Sequence, residues 1–368
     1  MKIGVPKEII SQEYRVGINP KTAKLLVDNS HEVFVEDNAG IHSGYSNSDY
    51  QQVGCTILDE AVDVFDAAEL IVKVKEPSFE EVELLKNKTI FTYLHLSSSK
   101  ELTEKLLDCN TTSIAYETVS IDNELPMLKP MSEIAGRLAV LDCISLLKKS
   151  NQGKGKLISG TSLADPANVV ILGAGIVGVN ALEISLGLGA NTTILDINEE
   201  RLLAIKEAYP KANTAISTSE TINKLLPNAD IVVGAVLTVG AKPPTLITRE
   251  MLKLLQPKSI LSDVSIDQGG CFETSKPTTH ANPTYIVDDV VHYCVANMPG
   301  GVPRTSTLAL NKATIPFLSK LANEGYKKAL KKDKNFLAGL NVHKGIVTYK
   351  AVADIFGHQY ISPSEVIN

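Results

Sequence analysis

Four polar residues stand just past apolar runs that read as strands: Arg15, Lys75, His95 and Asp267. Arg15 lies in the loop after the run 2–5, and Lys75 closes 70–74 just before Pro77. His95 closes 89–94, and Asp267 follows 260–264 and precedes Gln268-Gly269-Gly270. In open parallel sheets ligands bind outside the carboxyl ends of the strands, so a ligand would meet these positions. A guanidinium is a planar fork suited to a carboxylate, although Arg15 also stands within reach of Glu13. Lys75 offers a second positive charge for that carboxylate or for a carbonyl oxygen; by itself it reads as a solvated strand-end lysine. An imidazole exchanges a proton near neutrality, while His95 alone would read equally well as a satisfied core histidine. Asp267 can hold an ammonium group, orient water or accept a proton. Together the set suits oxidation of a small amino or hydroxy acid by hydride transfer to a nicotinamide. No GxSxG, HExxH or Cys–His spacing occurs, so serine, cysteine-nucleophile and metal readings gain no support and no metal is expected.

The nicotinamide has a place of its own. Gly173-Ala-Gly175-Ile-Val-Gly178 follows the apolar run 169–172 and opens a helical stretch. In this setting Gly173 makes the tight turn, Gly175 lets a pyrophosphate approach the backbone, and Gly178 allows close helix–strand packing. The helix N-terminus offers free N–H groups and partial positive charge to the phosphates. Eighteen residues beyond Gly178, Asp196 ends the next strand, where a carboxylate accepts both ribose hydroxyls and repels a 2′-phosphate. NAD is therefore expected over NADP, with Arg201 the one nearby group that could hold a 2′-phosphate.

The elements that must position these groups alternate between short apolar runs and amphipathic helical segments, the mark of βαβ units and parallel sheets. Strands are expected at 2–5, 32–35, 70–74, 89–94 and 112–115, and again at 169–172, 192–196, 231–235 and 260–264. Asn19-Pro20 predicts a helix start, and Ser78…Glu81 and Ser98…Glu101 read as capping boxes. A small hairpin should turn at Asp122-Asn123, and a long helix should run over 131–149. A Gly/Ser/Lys/Asn-rich connector follows at 151–166, and helices are expected at 306–323 and 326–332. The lysines 327, 328, 331, 332 and 334 read as a solvated helix face. Arg15, Lys75 and His95 fall in the first α/β stretch and Asp267 in the second, so the expected site is a cleft between two domains.

Composition sets the limits. The 368 residues carry 42 acidic and 36 basic side chains, net −6, without the dense basic surface that nucleic acid would need. Length allows two or three domains, and 44% hydrophobic with 21% charged residues fits a folded globular protein. Lys7 and Glu8 interrupt any apolar N-terminal core. The longest uncharged stretch, 167–182, is shorter than the roughly 20 residues of a spanning helix, so no membrane partner is expected. Five scattered cysteines with no CxxC pair fit reduced thiols and a cytoplasmic location. Only five of the 36 basic residues are arginines, so each arginine is more apt than usual to have a specific partner. Arg249 is the one expected simply at the surface.

Several segments together resemble the alanine dehydrogenase family, in the wider group that includes the nucleotide-binding α component of proton-translocating transhydrogenase. They are Gly4-Val-Pro-Lys-Glu8, Glu13-Tyr-Arg-Val16, Val72-Lys-Val-Lys-Glu-Pro77, Tyr93-Leu-His-Leu96, Ala115-Tyr-Glu-Thr118 and Pro130-Met-Ser-Glu-Ile-Ala-Gly-Arg137. Further on come Gly173 to Gly178, Gly234-Ala-Val-Leu237, Ile266-Asp-Gln-Gly-Gly-Cys271 and His292-Tyr-Cys-Val-Ala-Asn-Met-Pro299. The resemblance implies reversible oxidative deamination of L-alanine to pyruvate and ammonium with NAD. It implies Arg15 and Lys75 on the substrate, with His95 and Asp267 as the catalytic pair. Around the cofactor it implies Ser132, Gly173, Gly175, Ile176, Val177, Gly178, Asp196, Arg201, Thr218, Val236, Leu237, Val264, Ile266, Asp267, Lys276, Val295, Ala296, Asn297 and Met298. The implied fold is α/β, with two Rossmann-like domains and parallel sheets. A discontinuous substrate domain (1–129 plus 304–368) flanks an NAD domain (130–303), and the implied assembly is a homohexamer. The chain departs from the family at Ile158-Ser-Gly-Thr-Ser-Leu-Ala-Asp165, where a Gly/Pro/Val-rich linker is usual. Two other readings remain: a transhydrogenase-like component passing hydride between nucleotides, and a non-enzymatic NAD-binding protein.

Overall fold

Apolar runs become strands along the whole chain in the structure, a computed structural model that describes residues 1–236 and 243–367. In chain order they are β1 (Lys2–Val5), β2 (Glu32–Glu36), β3 (Thr56–Leu58), β4 (Leu70–Val72), β5 (Thr89–Thr92) and β6 (Thr112–Ala115). Then come β7 (Asn168–Leu172), β8 (Asn191–Asp196), β9 (Asn213–Ile216), β10 (Ile231–Gly234) and β11 (Ile260–Asp263). The last are β12 (Thr284–Val287), β13 (Val290–Tyr293), β14 (Leu340–His343) and β15 (Ile346–Val347).

They form two sheets in two compact units, Met1–Met131 with Gly300–Asn368, and Ser132–Pro299. The first sheet has the order β3-β2-β1-β4-β5-β6-β14-β15, and the second β9-β8-β7-β10-β11-β13-β12. In the first, β1 to β6 are mutually parallel and β14 and β15 close one edge antiparallel. In the second, only β12 is antiparallel. Counted within its unit, each sheet begins 3-2-1-4-5, the start of the doubly wound order whose direction reverses between its first and fourth strands; the first sheet continues with its sixth strand, the second with its seventh and then its sixth.

Burial on both faces explains the unbroken apolar runs. In β7, Val169 and Ile171 join one core cluster, while Val170 and Leu172 join another on the opposite face. β10 divides the same way, Ile231 and Val233 against Val232. In the first unit, Ile71 and Ile90 pack with Leu94, Leu106, Val342 and Val352, so residues from the end of the chain complete that core.

Local chemistry sets the helix starts. Asn19 caps the helix Pro20–Asp28, accepting the Thr22 N–H, with proline at the first helical position. Ser78 and Glu81 form a full capping box. The second expected box is corrected: Ser99 caps the helix Lys100–Asp108 by accepting from Leu102, and Ser98 ends a short 3₁₀ turn after His95. Asp122 and Asn123 both have positive φ, making a tight turn, yet only one bridge, Ile121 to Glu124, closes it, so no hairpin strands form. The long helix covers Lys129–Leu146, slightly earlier than expected. The C-terminal pair appears as one span, Pro303–Lys332, broken at Gly325, where φ 74° and ψ 155° cannot continue a helix. No helix among the described residues is long and apolar enough to cross a membrane.

Candidate active site: two switch points

Arg15 follows β1 and Lys75 follows β4, the pair of strands between which the first sheet reverses direction. His95 follows β5, next to β4. The three residues thus stand at the carboxyl end of three adjacent parallel strands. β4 and β5 end at Val72 and Thr92, two residues short of the expected ends, although the Lys73 and Tyr93 N–H groups still donate to the Phe91 and Val74 carbonyls.

Arg15 is buried and held in a two-armed grip: Nε donates to Glu13 Oε1 at 2.6 Å and Nη2 to Glu13 Oε2 at 2.5 Å. The structure therefore contains the Glu13 pairing that the sequence allowed. Nη1 also donates to the Met131 sulfur at 3.1 Å. Burial weakens the guanidinium's hold on its proton, but Glu13 more than compensates, so the group stays charged. Close packing shapes the loop: a Cβ on Gly17 would sit 2.5 Å from the Val72 carbonyl oxygen, so only glycine lets this loop lie against the end of β4.

Lys75 is half-buried, and its carbonyl accepts the Thr92 hydroxyl at 2.9 Å. His95 is exposed and has left-handed backbone, φ 48° and ψ 33°. Few non-glycine residues adopt this region, and such strain persists only where neighbours fix it. Glu117 does so. Its carboxylate accepts the N–H of His95 at 2.7 Å and that of Leu94 at 3.1 Å. The Tyr93 ring lies parallel to the imidazole, centroids 5.9 Å apart, and its hydroxyl is tied to the Met127 carbonyl. Sequence reasoning assigned no role to Glu117 or Tyr93, though both lie inside segments that carried the resemblance. The missed signal was a half-buried acid one strand over from His95.

The second unit's switch point lies between β7 and β10, and Gly173 and Val236 follow those strands. Gly173 has φ 104°, and a Cβ there would lie 2.6 Å from the Ala235 carbonyl oxygen. A Cβ on Gly178 would collide with the Gly173 oxygen at 1.9 Å. Gly175 differs: its Cβ would meet nothing within 4 Å, so the protein's own packing does not demand glycine there. The backbone at Gly175 faces open space at the start of the helix Ile176–Gly187. That is the opening a pyrophosphate needs.

Asp196 ends β8. Its Oδ2 accepts the Ala174 N–H at 2.7 Å and its Oδ1 the Asn198 N–H at 2.9 Å, tying this acid to the glycine loop. Burial alone would raise this carboxyl's pKa, but the Ala174 and Asn198 donors and the Arg201 charge hold it below the usual range. Arg201 Nη1 lies 3.3 Å from Asp196 Oδ2.

Asp267 is exposed in the 3₁₀ turn Val264–Gln268, and its Oδ1 accepts the Asn297 N–H at 3.2 Å. Ile266 in the same turn is buried and Val264 half-buried. The Val236 carbonyl accepts the Ser265 hydroxyl at 2.6 Å, joining the loops after β10 and β11. Ile176 is exposed, and Val177 and Ser132 are half-buried. Val295 and Met298 are core residues, so they would meet a nucleotide through their backbone; Ala296 donates its N–H to Thr278. Thr218 caps the helix Ser219–Leu225, away from the glycine loop in sequence, and Lys276 donates its backbone N–H to the Tyr285 hydroxyl. Leu237 lies outside the described residues.

The scarce arginines do have partners. Arg137 pairs with Glu183, and Arg304 reaches the Gly44 carbonyl and lies over the Tyr45 ring. Arg249 is indeed exposed but pairs with Asp288, so a surface place did not mean an idle one.

Two family models match the chain. Residues 4–135 match the N-terminal domain of alanine dehydrogenase/PNT, and residues 139–350 match its C-terminal domain. An alanine dehydrogenase from Halomonas elongata is 50% identical, covering all of both chains. One from Methanococcus maripaludis is 47% identical, again over the full length of both. A solved L-alanine dehydrogenase superposes with a TM-score of 0.94 at 44% identity, covering 97% of this chain and 99% of the other. A transhydrogenase structure from Sinorhizobium meliloti shares the fold at TM-score 0.81 and 22% identity, covering 95% of this chain and all of the other.

Proposed function

This chain belongs to the alanine dehydrogenase/PNT family, and we propose that it catalyses the NAD-dependent oxidative deamination of L-alanine. The observation that carries the reading is full-length identity of 46–50% to alanine dehydrogenases, combined with charged groups at one switch point and a phosphate cradle at the other. Identity at that level to these enzymes, against fold alone for the transhydrogenase, favours this reading over hydride exchange between nucleotides.

The reaction converts L-alanine, NAD⁺ and water to pyruvate, ammonium, NADH and a proton. The open face at Gly175, the helix N-terminus after it and the acid at Asp196 fit a dinucleotide. When bound, NAD supplies the acceptor for the hydride that leaves Cα. Arg201 is engaged by Asp196, which supports NAD over NADP, because its charge is already answered.

The chain's own residues do the rest. Lys75 and Arg15 hold the carboxylate and so aim Cα, with Glu13 fixing the Arg15 guanidinium in place. Fixing orientation in this way is worth several kcal/mol, on the order of an entropy trap. His95, in its constrained backbone, takes a proton from the water that attacks the iminium carbon and later returns one to the departing ammonia. Asp267 is the second proton-handling group, oriented by the Asn297 N–H. The first unit is thus the substrate unit and the second the NAD unit, and family likeness extends the proposal to a homohexamer.

NADH formation followed at 340 nm with a panel of L-amino acids, and with NAD and NADP in parallel, tests the reading. Alanine with NAD should give the highest rate. Turnover with two nucleotides and no amino acid, or no rate with alanine, would overturn it.

A further inference from the structure

The segment Gly4-Val-Pro-Lys-Glu8 ends in a carboxylate that the reaction above leaves without a task. Glu8 is 7% exposed, and its side chain turns to the end of β4. Oε1 accepts the Val74 N–H at 2.6 Å and, more weakly, the Lys75 N–H at 3.4 Å. Oε2 makes no hydrogen bond and lies 3.5 Å from Nζ of Lys73. Lys73 is fully buried and donates to Glu81 Oε1 at 2.5 Å. Desolvation raises the pKa of the Glu8 carboxyl, and the Lys73 charge works against that rise.

Strand pairing shows why an acceptor is needed there. β4 is paired with β1 only as far as Gly4–Ile71. On its other side the chain stays tied to β5 and beyond: Lys73 N–H to Phe91 at 3.3 Å, and Tyr93 N–H to the Val74 carbonyl at 3.2 Å. The Tyr116 hydroxyl holds the Lys73 carbonyl at 3.0 Å, and the Thr92 hydroxyl holds that of Lys75. On the β1 side the partner strand has run out. Without Glu8 the Val74 N–H would be a buried orphan, a loss of roughly 1–3 kcal/mol.

We propose that Glu8 is a positioning residue for Lys75, its carboxylate standing in for the missing strand carbonyl and fixing the backbone from which Lys75 reaches the substrate. The inference rests on Lys75 anchoring that substrate. Lys73, shared with Glu81, keeps the carboxylate seated.

A purely structural ion pair makes the opposite forecast for two conservative variants. Glu8→Asp keeps the charge near Lys73 but withdraws the acceptor from Val74 by one methylene, about 1.5 Å. Glu8→Gln keeps a carbonyl oxygen for the Val74 N–H and gives up the charge, while Lys73 retains Glu81. In steady-state assays of pyruvate amination, Glu8→Asp should raise KM for pyruvate at least ~10-fold, equivalent to ~1.4 kcal/mol. Glu8→Gln should raise it clearly less, and neither should move KM for NADH. A Gln effect equal to or larger than the Asp effect, or no rise with Asp, overturns the inference. Lys75→Ala run alongside separates the two failures. If it loses kcat/KM while Glu8→Asp is unaltered, only the Glu8 assignment falls. If Lys75→Ala itself is unaltered, the substrate role of Lys75 falls.

Discussion

The two units wind their first five strands in one order, yet furnish their switch points in opposite ways. In the second unit the loop after the first strand is nearly bare of side chains. Gly173 turns it, Gly178 packs it, and Gly175 leaves the backbone uncovered, so a ligand would be bound by N–H groups and a helix end. In the first unit the same position carries Arg15, opposite Lys75 and beside His95; Glu13 grips the Arg15 guanidinium, while Glu8 and Glu117 accept the backbone N–H groups of Lys75 and His95. A backbone cradle suits a diffuse, sequence-neutral anion such as a pyrophosphate. A small carboxylate needs fixed point charges, and a buried one such as Arg15 must itself be paired, as it is with Glu13. On the proposed reading, one topology serves two ligands through what fills the turn.

The contrast breaks most readily on the charged side. Lys75→Ala should lower kcat/KM for alanine by at least ~100-fold, the usual scale for an anchoring or acid–base group, in steady-state assays at saturating NAD. A variant retaining most of its activity would remove Lys75 from the site. On the bare side, Gly175→Ala adds a methyl that meets no protein atom. Its cap penalty and its gain from a stiffer unfolded chain are each up to ~1 kcal/mol and oppose one another. Thermal melts should therefore show little change in Tm, while NADH binding weakens about tenfold or more, ~1.4 kcal/mol. A loss of Tm with binding intact would mean that the opening serves packing and not phosphate.

The smallest effect concerns the acid that ties the bare loop to β8. The folded pKa of Asp196 is depressed, so its ionised form contributes stability above the unfolded carboxylate pKa, about 3.9, and loses it as pH falls through the lower folded value. Asp196→Asn keeps an acceptor for the Ala174 N–H but no charge. Urea unfolding should find it less stable than the parent by on the order of 1 kcal/mol at pH 7, with the gap narrowing below about pH 3.9. A gap that widens in acid would contradict the assigned charge state.

Much of this was legible in the residues. The glycine spacing, the strand before it and Asp196 predicted the glycine turn that stands at the second switch point, because a bare-backbone turn leaves a local pattern in one stretch of chain. The first switch point draws on loops far apart in sequence, and there only the charged tips could be read. Their supports could not, since the pairing of Glu8 with Val74 and of Glu117 with His95 exists only once the strands are side by side. Short elements escaped for a similar reason. β3, β9 and β14 are three or four residues long, and sheet neighbours, not periodicity, make them strands. The Ser98 box failed because His95 takes a left-handed turn that shifts the next helix start by one residue.

The division of labour is tested most directly by titrating NADH fluorescence against Lys75→Ala and Gly175→Ala in the absence of substrate. The account predicts that Lys75→Ala binds NADH within about twofold of the parent, whereas Gly175→Ala binds it about tenfold more weakly. Tenfold weaker binding by Lys75→Ala, or parent-like binding by Gly175→Ala, would contradict it.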